Sequence, residues 1–243
     1  MIRVQNLHKS YDFNPVLSGV SLDIFPDEIF VVIGKSGVGK SVLLKTIIGL
    51  IKPDRGSIFV DNKEITRMNR KELFEIRKKF GMLFQSAALF DSMTVEENLS
   101  LALKEHTGLP SDEIRKRAAG KLELVGLEDI LDKYPAELSG GMKKRVGLAR
   151  ALMMEPEYIL FDEPTTGLDP VMARSIDKLI YETTKKARIT SVIVTHDMIT
   201  AVTIGTRIAM LEQGKIIFDG TPEKFLKCRE KAVQEFINSI KNI

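Results

Sequence analysis

IFVVIGKSGVGKS, residues 29–41, passes from five apolar residues into a glycine-rich octet, and the octet runs on into the apolar segment SVLLKTIIGL. The five apolar residues suit a strand buried on both faces, and the segment that follows suits a buried helix. Between them Gly34–Ser41 fits G-x-x-x-x-G-K-[ST] without a mismatch, in the strand-to-helix setting the pattern requires. Gly34, Gly37 and Gly39 let the backbone of Gly34, Lys35, Ser36, Gly37, Val38 and Gly39 curl so that its N–H groups face phosphate. Lys40 adds a point charge for the outer phosphates, and the Ser41 hydroxyl suits Mg²⁺. A turn that merely joined strand to helix would need neither the lysine nor the serine.

Working outward, four more short apolar runs read as buried strands: FGMLF (80–84), YILF (158–161), SVIVT (191–195) and RIAML (207–211). Helix-like segments separate most of them, and that alternation indicates a parallel sheet covered by helices. MIRVQNL, VSLDI and GSIFVDN, near the start, are mixed in polarity and divided by turn residues, which suits an antiparallel flank. Polar chemistry follows four of the runs: the glycine octet, Gln85, the pair Asp162 and Glu163, and His196. Ligands of open parallel sheets bind beyond the carboxyl ends of the strands, so these four insertions are expected to converge on one site.

Asp162 is expected to serve Mg²⁺, through its water shell, and Glu163 to polarise the attacking water as general base. Alternation along the strand would point the two carboxylates in different directions. An isolated DEP is as readily a solvated acidic turn; its place after a buried strand favours the catalytic reading. His196, one of three histidines, is placed to hydrogen-bond the γ-phosphate and the water, where a histidine elsewhere is more often structural. The Gln85 amide is expected to reach Mg²⁺ or the water, although a glutamine at a strand end is more often just solvated.

Composition narrows the function. With 243 residues and 44% hydrophobic residues the chain can bury a real core. Its 36 Lys and Arg against 33 Asp and Glu leave a charge of +3, too near balance for nucleic acid as the main partner. The lone cysteine, Cys228, excludes an intrachain disulfide framework and a cysteine zinc site. MIRVQNLHKSYDFN has no apolar signal core, and no apolar run approaches the ~18 to 20 residues of a bilayer span. The expectation is a soluble chain whose membrane role comes through a partner.

LSGGMKKRVGLARAL, residues 138–152, opens on a glycine pair and continues as a helix. Ser139 can N-cap that helix, the glycines admit close backbone approach, and the helix dipole favours an anion. Met142, Val146, Ala149 and Met153 recur at helical spacing as a core stripe, with Lys143, Lys144 and Arg145 read as a mostly solvated or phosphate-facing edge.

The order of phosphate loop, Gln85, LSGGM, LFDEP, GLD and His196 resembles the ATP-binding-cassette (ABC) ATPases over essentially the whole chain. The resemblance implies a P-loop NTPase, RecA-like parallel core with an antiparallel β flank and an inserted helical subdomain. Residues 1–87 and 151–220 would form the core, 88–150 the helical subdomain and 221–243 a C-terminal helical extension. It implies ATP and Mg²⁺ as cofactors, and a head-to-tail homodimer in which Ser139, Gly140 and Gly141 of one subunit cap the γ-phosphate held by the other. Met142 stands where that family usually has glutamine, so the amide's hydrogen bond is absent while the backbone cap survives. Tyr11 matches the aromatic residue that stacks on adenine, with Phe13 close enough to leave the assignment open. Asp169 matches the loop that crosses between the subunits.

FGMLFQSAALFDSMTVEENLSLAL, residues 80–103, together with Met142, resembles more narrowly the ATPase subunits of Mce-type and Mla-type lipid transporters. That implies an integral-membrane permease, a lipid-binding Mce/Mla-type accessory protein and a place on the inner face of the cell membrane, held there by the permease. The alternatives are a transporter of another substrate class, or a soluble ABC ATPase acting on ribosomes, DNA or iron–sulfur assembly. Leu89, Phe90 and Met93 either form a partly apolar groove for a permease helix or are buried inside the helical subdomain. Thr221 is expected to N-cap a final helical segment with Pro222 at its first position, and Phe225, Val233, Phe236, Ile237 and Ile240 form its apolar stripe.

Overall fold

A computed structural model describes residues 1–241, with side chains through residue 238, so Ile240 of the expected stripe lies outside the described side chains. The chain divides into two compact units: Met1–Arg77 with the segment from Arg188 onward, and Lys78–Ala187. The first unit opens with β1 (Ile2–Tyr11), β2 (Asn14–Ile24), β3 (Ile29–Ile33), α1 (Lys40–Ile47), β4 (Arg55–Val60), β5 (Lys63–Glu64) and α2 (Arg70–Arg77). The second holds β6 (Phe80–Leu83), α3 (Val95–His106), α4 (Ser111–Leu124), α5 (Gly140–Leu152), β7 (Tyr158–Asp162) and α6 (Pro170–Ala187). The chain then returns to the first unit with β8 (Thr190–Thr195), α7 (Met198–Ile204), β9 (Arg207–Glu212), β10 (Lys215–Gly220), α8 (Pro222–Leu226) and α9 (Lys231–Lys241).

The fold is α/β, as the alternation of apolar runs and helices requires. In the first unit β3 lies between β8 and β9, parallel to both, with Ile33 opposite Thr195 and Met210. Every residue of β3 and β8 is buried, which is why neither shows the polar alternation of a one-sided strand. β10 closes this edge antiparallel to β9, and its mixed burial explains why its polarity pattern hides it in the sequence. The flank is antiparallel, in the order β2, β1, β4, β5.

In the second unit β6 and β7 run parallel with Leu83 opposite Phe161, and the Phe80 and Tyr158 rings stack at 4.9 Å. The helix α3 starts in a capping box, Thr94 Oγ1 accepting from the Glu97 N–H while the Thr94 N–H donates to Glu97 Oε2. Its buried Asn98 side chain accepts from the Phe90 N–H and donates to the Phe90, Met93 and Thr94 carbonyls, which fixes the loop before the helix. A Cβ at Gly81 would lie 2.3 Å from the Ala151 carbonyl oxygen. Gly81→Ala must therefore push β6 off α5, and we expect a loss of about 1 to 3 kcal/mol, read as a lower denaturation midpoint.

In the last segment the expected cap is present, while the expected single helical run is broken into α8 and α9. Thr221 Oγ1 accepts from the Lys224 N–H, Pro222 opens α8, and Phe225, Val233, Phe236 and Ile237 are buried. Phe225 meets Phe218 edge to face at 5.2 Å. Among the described residues no helix is long and apolar enough to cross a membrane.

Candidate functional site

The first unit supplies a phosphate cradle. Lys35, Ser36 and Gly37 stand exposed at the crown of the loop, while Gly39 and Lys40 are buried at its base. Gly37 and Gly39 adopt φ of +84° and +104°, conformations that disfavour any residue with a Cβ, and at Gly39 a Cβ would also crowd Val16 Cγ1 at 2.8 Å. The loop closes round its own lysine: Lys40 Nζ donates to the Gly34 carbonyl at 2.8 Å and the Lys35 carbonyl at 3.0 Å. Gly39 caps α1 without offering a side-chain acceptor, and the first turn carries no acidic residue. A helix N-terminus in that condition directs its N–H groups and dipole at an anion. Backbone amides, an ammonium and the half-buried Ser41 hydroxyl are the donor set that a triphosphate and its Mg²⁺ require, so these residues fit the pair.

His196 follows β8 directly, as Gly34 follows β3, and the two strands are paired through Ile33 and Thr195. It is exposed, and it is held between the strand and the cap of α7. There the Asp197 carboxylate accepts from the Ile199 and Thr200 N–H groups while its own N–H donates to Thr195 Oγ1. Tyr11, at the end of β1, is 45% exposed with Lys9 Nζ 5.3 Å from its ring centre, and Phe13 is wholly exposed.

In the second unit Gln85 lies just beyond β6, Asp162 is the last residue of β7 and Glu163 the first beyond it. Asp162 and Glu163 are both buried, and Glu163 Oε2 accepts from Thr166 Oγ1 at 3.1 Å. Glu163 has φ of +50°. The chain has already turned out of the strand there, so strand alternation does not set the direction of its side chain. A left-handed glutamate is the kind of local strain that surrounding structure must hold in place.

Lys144 departs from the reading of a solvated edge. It is 5% exposed, its ammonium donating to the Gln85 carbonyl and, at 3.4 Å, to the Glu163 carbonyl. Burial pushes the ammonium below the usual lysine value, against the opposing attraction of Asp162 and Glu163. Arg145 is likewise occupied, donating to the Val125 carbonyl and to Ser175 Oγ. Met142 is only half-buried, so of the expected stripe Val146, Ala149 and Met153 are buried, and Leu148, Ala151 and Leu152 of α5 are buried with them. In the sequence nothing singles Lys144 out from its basic neighbours Lys143 and Arg145.

Ser139 caps α5, its Oγ accepting from the Met142 N–H at 3.3 Å; Ser139 and Gly140 are exposed and Gly141 is buried. Asp169 is exposed and caps α6, its Oδ1 accepting from the Val171 and Met172 N–H groups at 3.0 Å. A groove of about 600 Å³ is lined by Met82, Phe84, Phe90, Leu101, Ala102 and Met154 among others. Of the three residues expected at a groove Phe90 lines it and is 50% exposed, while Leu89 and Met93 are half-buried outside its lining.

Residues 17–166 match the family described as ABC transporter. A probable ribonucleotide transport ATP-binding protein, mkl of Mycobacterium leprae, is 44% identical over 98% of the chain and 68% of its own length. The chain spans 66% of the corresponding Mycobacterium tuberculosis protein. The methionine import ATP-binding protein MetN of Carboxydothermus hydrogenoformans is 43% identical over 99% of the chain and 72% of its own length. The intermembrane phospholipid transport system ATP-binding protein MlaF of Haemophilus influenzae is 38% identical over 98% of the chain and 90% of its own length. Among solved structures, the dimeric post-hydrolysis state of the ATP-binding cassette MJ0796 bound to ADP and Pi superposes with a TM-score of 0.85. It is 34% identical, over 91% of this chain and 99% of that one.

Proposed function

The chain belongs to the ABC transporter family as an ATP-hydrolysing cassette that uses ATP with Mg²⁺, and from that premise we propose that it drives a membrane permease for phospholipid or another hydrophobic substrate. The phosphate loop carries the reading: it sets a lysine held by its own loop carbonyls beside a helix N-terminus with no side-chain cap, the donors suited to an anion. Residues 34–41 bind the phosphates, and Tyr11 stacks on the adenine. Ser41, Gln85 and Asp162 are the residues that would hold Mg²⁺, which when bound would supply neutralisation of charge on the phosphates. Glu163 accepts a proton from the attacking water, and His196 orients that water and the terminal phosphate.

Two copies pair head to tail, so that Ser139, Gly140 and Gly141 of each close on the phosphates held by the other, with Asp169 at the crossing. The groove that includes Phe90 receives an apolar permease helix, which places the ATPase on the inner face of the membrane. A lipid cargo and an Mce/Mla-type accessory protein are supported by residues 80–103, by Met142 and by the likeness to MlaF, which spans nearly all of that protein. The names of mkl and MetN favour the alternative that a polar metabolite is moved.

Purifying the ATPase with its permease from detergent extract and identifying bound molecules by mass spectrometry separates these readings. We expect bound phospholipid above the level in a detergent control of an unrelated membrane protein. A complex carrying no hydrophobic ligand, or recovery with ribosomes or DNA and no membrane protein, overturns the lipid reading or the transporter reading respectively.

A further inference from the structure

Along α5, Lys144, Gly147 and Arg150 stand three residues apart on one face of the helix, and all three engage the segment around Gln85. Lys144 donates to the Gln85 carbonyl. Arg150 donates to the Ala87 and Ala88 carbonyls, both at 2.7 Å. At Gly147 a Cβ would come 2.7 Å from Leu83 Cδ1 and 3.1 Å from the Ala87 Cβ, so there the helix packs directly on the Leu83 and Ala87 side chains. Ala87 and Ala88 adopt φ of +62° and +49°, successive left-handed conformations that alanine resists unless its carbonyls are held from outside. The same lysine reaches the Glu163 carbonyl, where the chain leaves β7 in another left-handed turn.

We propose that Lys144 is a positioning residue for ATP hydrolysis, holding the Gln85 and Glu163 carbonyls against α5 so that both loops are registered to the helix that begins at Ser139. The proposal rests on the roles given above to Gln85 and Glu163. An ammonium has three donors and can serve two carbonyls at once, while methionine of similar length has none. Without the donor the buried Glu163 carbonyl and the part-buried Gln85 carbonyl lose their common partner, and the two loops relax independently. Arg150 and Gly147 still keep α5 against the Gln85 segment, so the fold survives while the register of the reacting groups is lost.

Lys144→Met and Lys144→Arg in the full chain test this through steady-state ATPase kinetics, equilibrium ATP binding and thermal melting. Because small misplacements of reacting groups chiefly affect the chemical step, Lys144→Met is expected to lower kcat roughly 10- to 100-fold with KM for ATP within about twofold. Lys144→Arg, which keeps the donors, returns kcat to within about threefold of the parent. A merely structural lysine would lower the melting temperature and leave kcat per folded molecule unchanged, and that result overturns the proposal. So does a Lys144→Arg variant as slow as Lys144→Met, or a defect confined to KM. Should Lys144→Met not fold, Lys144→Gln, with two amide N–H donors on a shorter stem, is read by the same kcat against KM criterion. Glu163→Gln, assayed in parallel, separates the two levels: a parental rate there defeats the role given to Glu163, whereas a parental rate in Lys144→Met defeats only the tether.

Discussion

Replacing Glu163 by glutamine is expected to lower ATP turnover by roughly 10²- to 10⁴-fold, the scale of losing a general base, while ATP binding is retained. Glutamine has the same length, and its carbonyl oxygen can still accept the Thr166 hydroxyl that now meets Glu163 Oε2. The left-handed turn at φ +50° is no harder for glutamine than for glutamate, so the backbone is undisturbed. What disappears is the proton acceptor. Phosphate release measured beside equilibrium ATP binding reads the two effects apart, and near-parental hydrolysis by the variant would show that Glu163 is not the base.

Ser139→Arg is expected to abolish hydrolysis while leaving ATP binding to isolated monomers intact. The serine hydroxyl accepts the Met142 N–H, and losing a cap of this kind costs about 1 kcal/mol, too little to unfold a domain of this size. Arginine adds a long side chain at an exposed helix start where, on the paired arrangement proposed above, another subunit's phosphates must come close. The phosphate loop belongs to the other compact unit and keeps all of its own hydrogen bonds. Nucleotide titration on monomers and sedimentation with ATP check both halves of the claim. If monomer binding fell in step with hydrolysis, the cap would act within its own chain and the head-to-tail arrangement would be wrong.

Much of the architecture was legible because its signals are local. IFVVI, YILF and SVIVT become strands buried on both faces, and an uninterrupted apolar run is what such burial leaves in a sequence. The glycine octet sits between strand and helix, with its lysine at the base of the loop. Thr221 and Ser139 cap the helices expected of them because a cap needs only residues within one turn. β5 and β10 were not legible: one is two residues long, and the other is an edge strand whose partly exposed residues carry no clear period.

The basic triplet at 143–145 shows where local reasoning stops. Three adjacent cations look alike in a sequence, yet Lys144 is buried on two carbonyls, Arg145 is bonded to Val125 and Ser175, and Lys143 stays half-exposed. Asp169 likewise proved to cap its own helix, whatever it meets in a partner.

By itself the amino-acid order determined the strands buried on both faces, the phosphate loop, the starts of the capped helices and the residue types at the strand ends, since each of these follows from neighbours a few positions away. Only the tertiary structure decided how each charge is solvated. Whether an ammonium meets water or a carbonyl depends on what distant segments bring beside it: for Lys144 the acceptors stand 59 and 19 residues away along the chain, a relation no periodicity records.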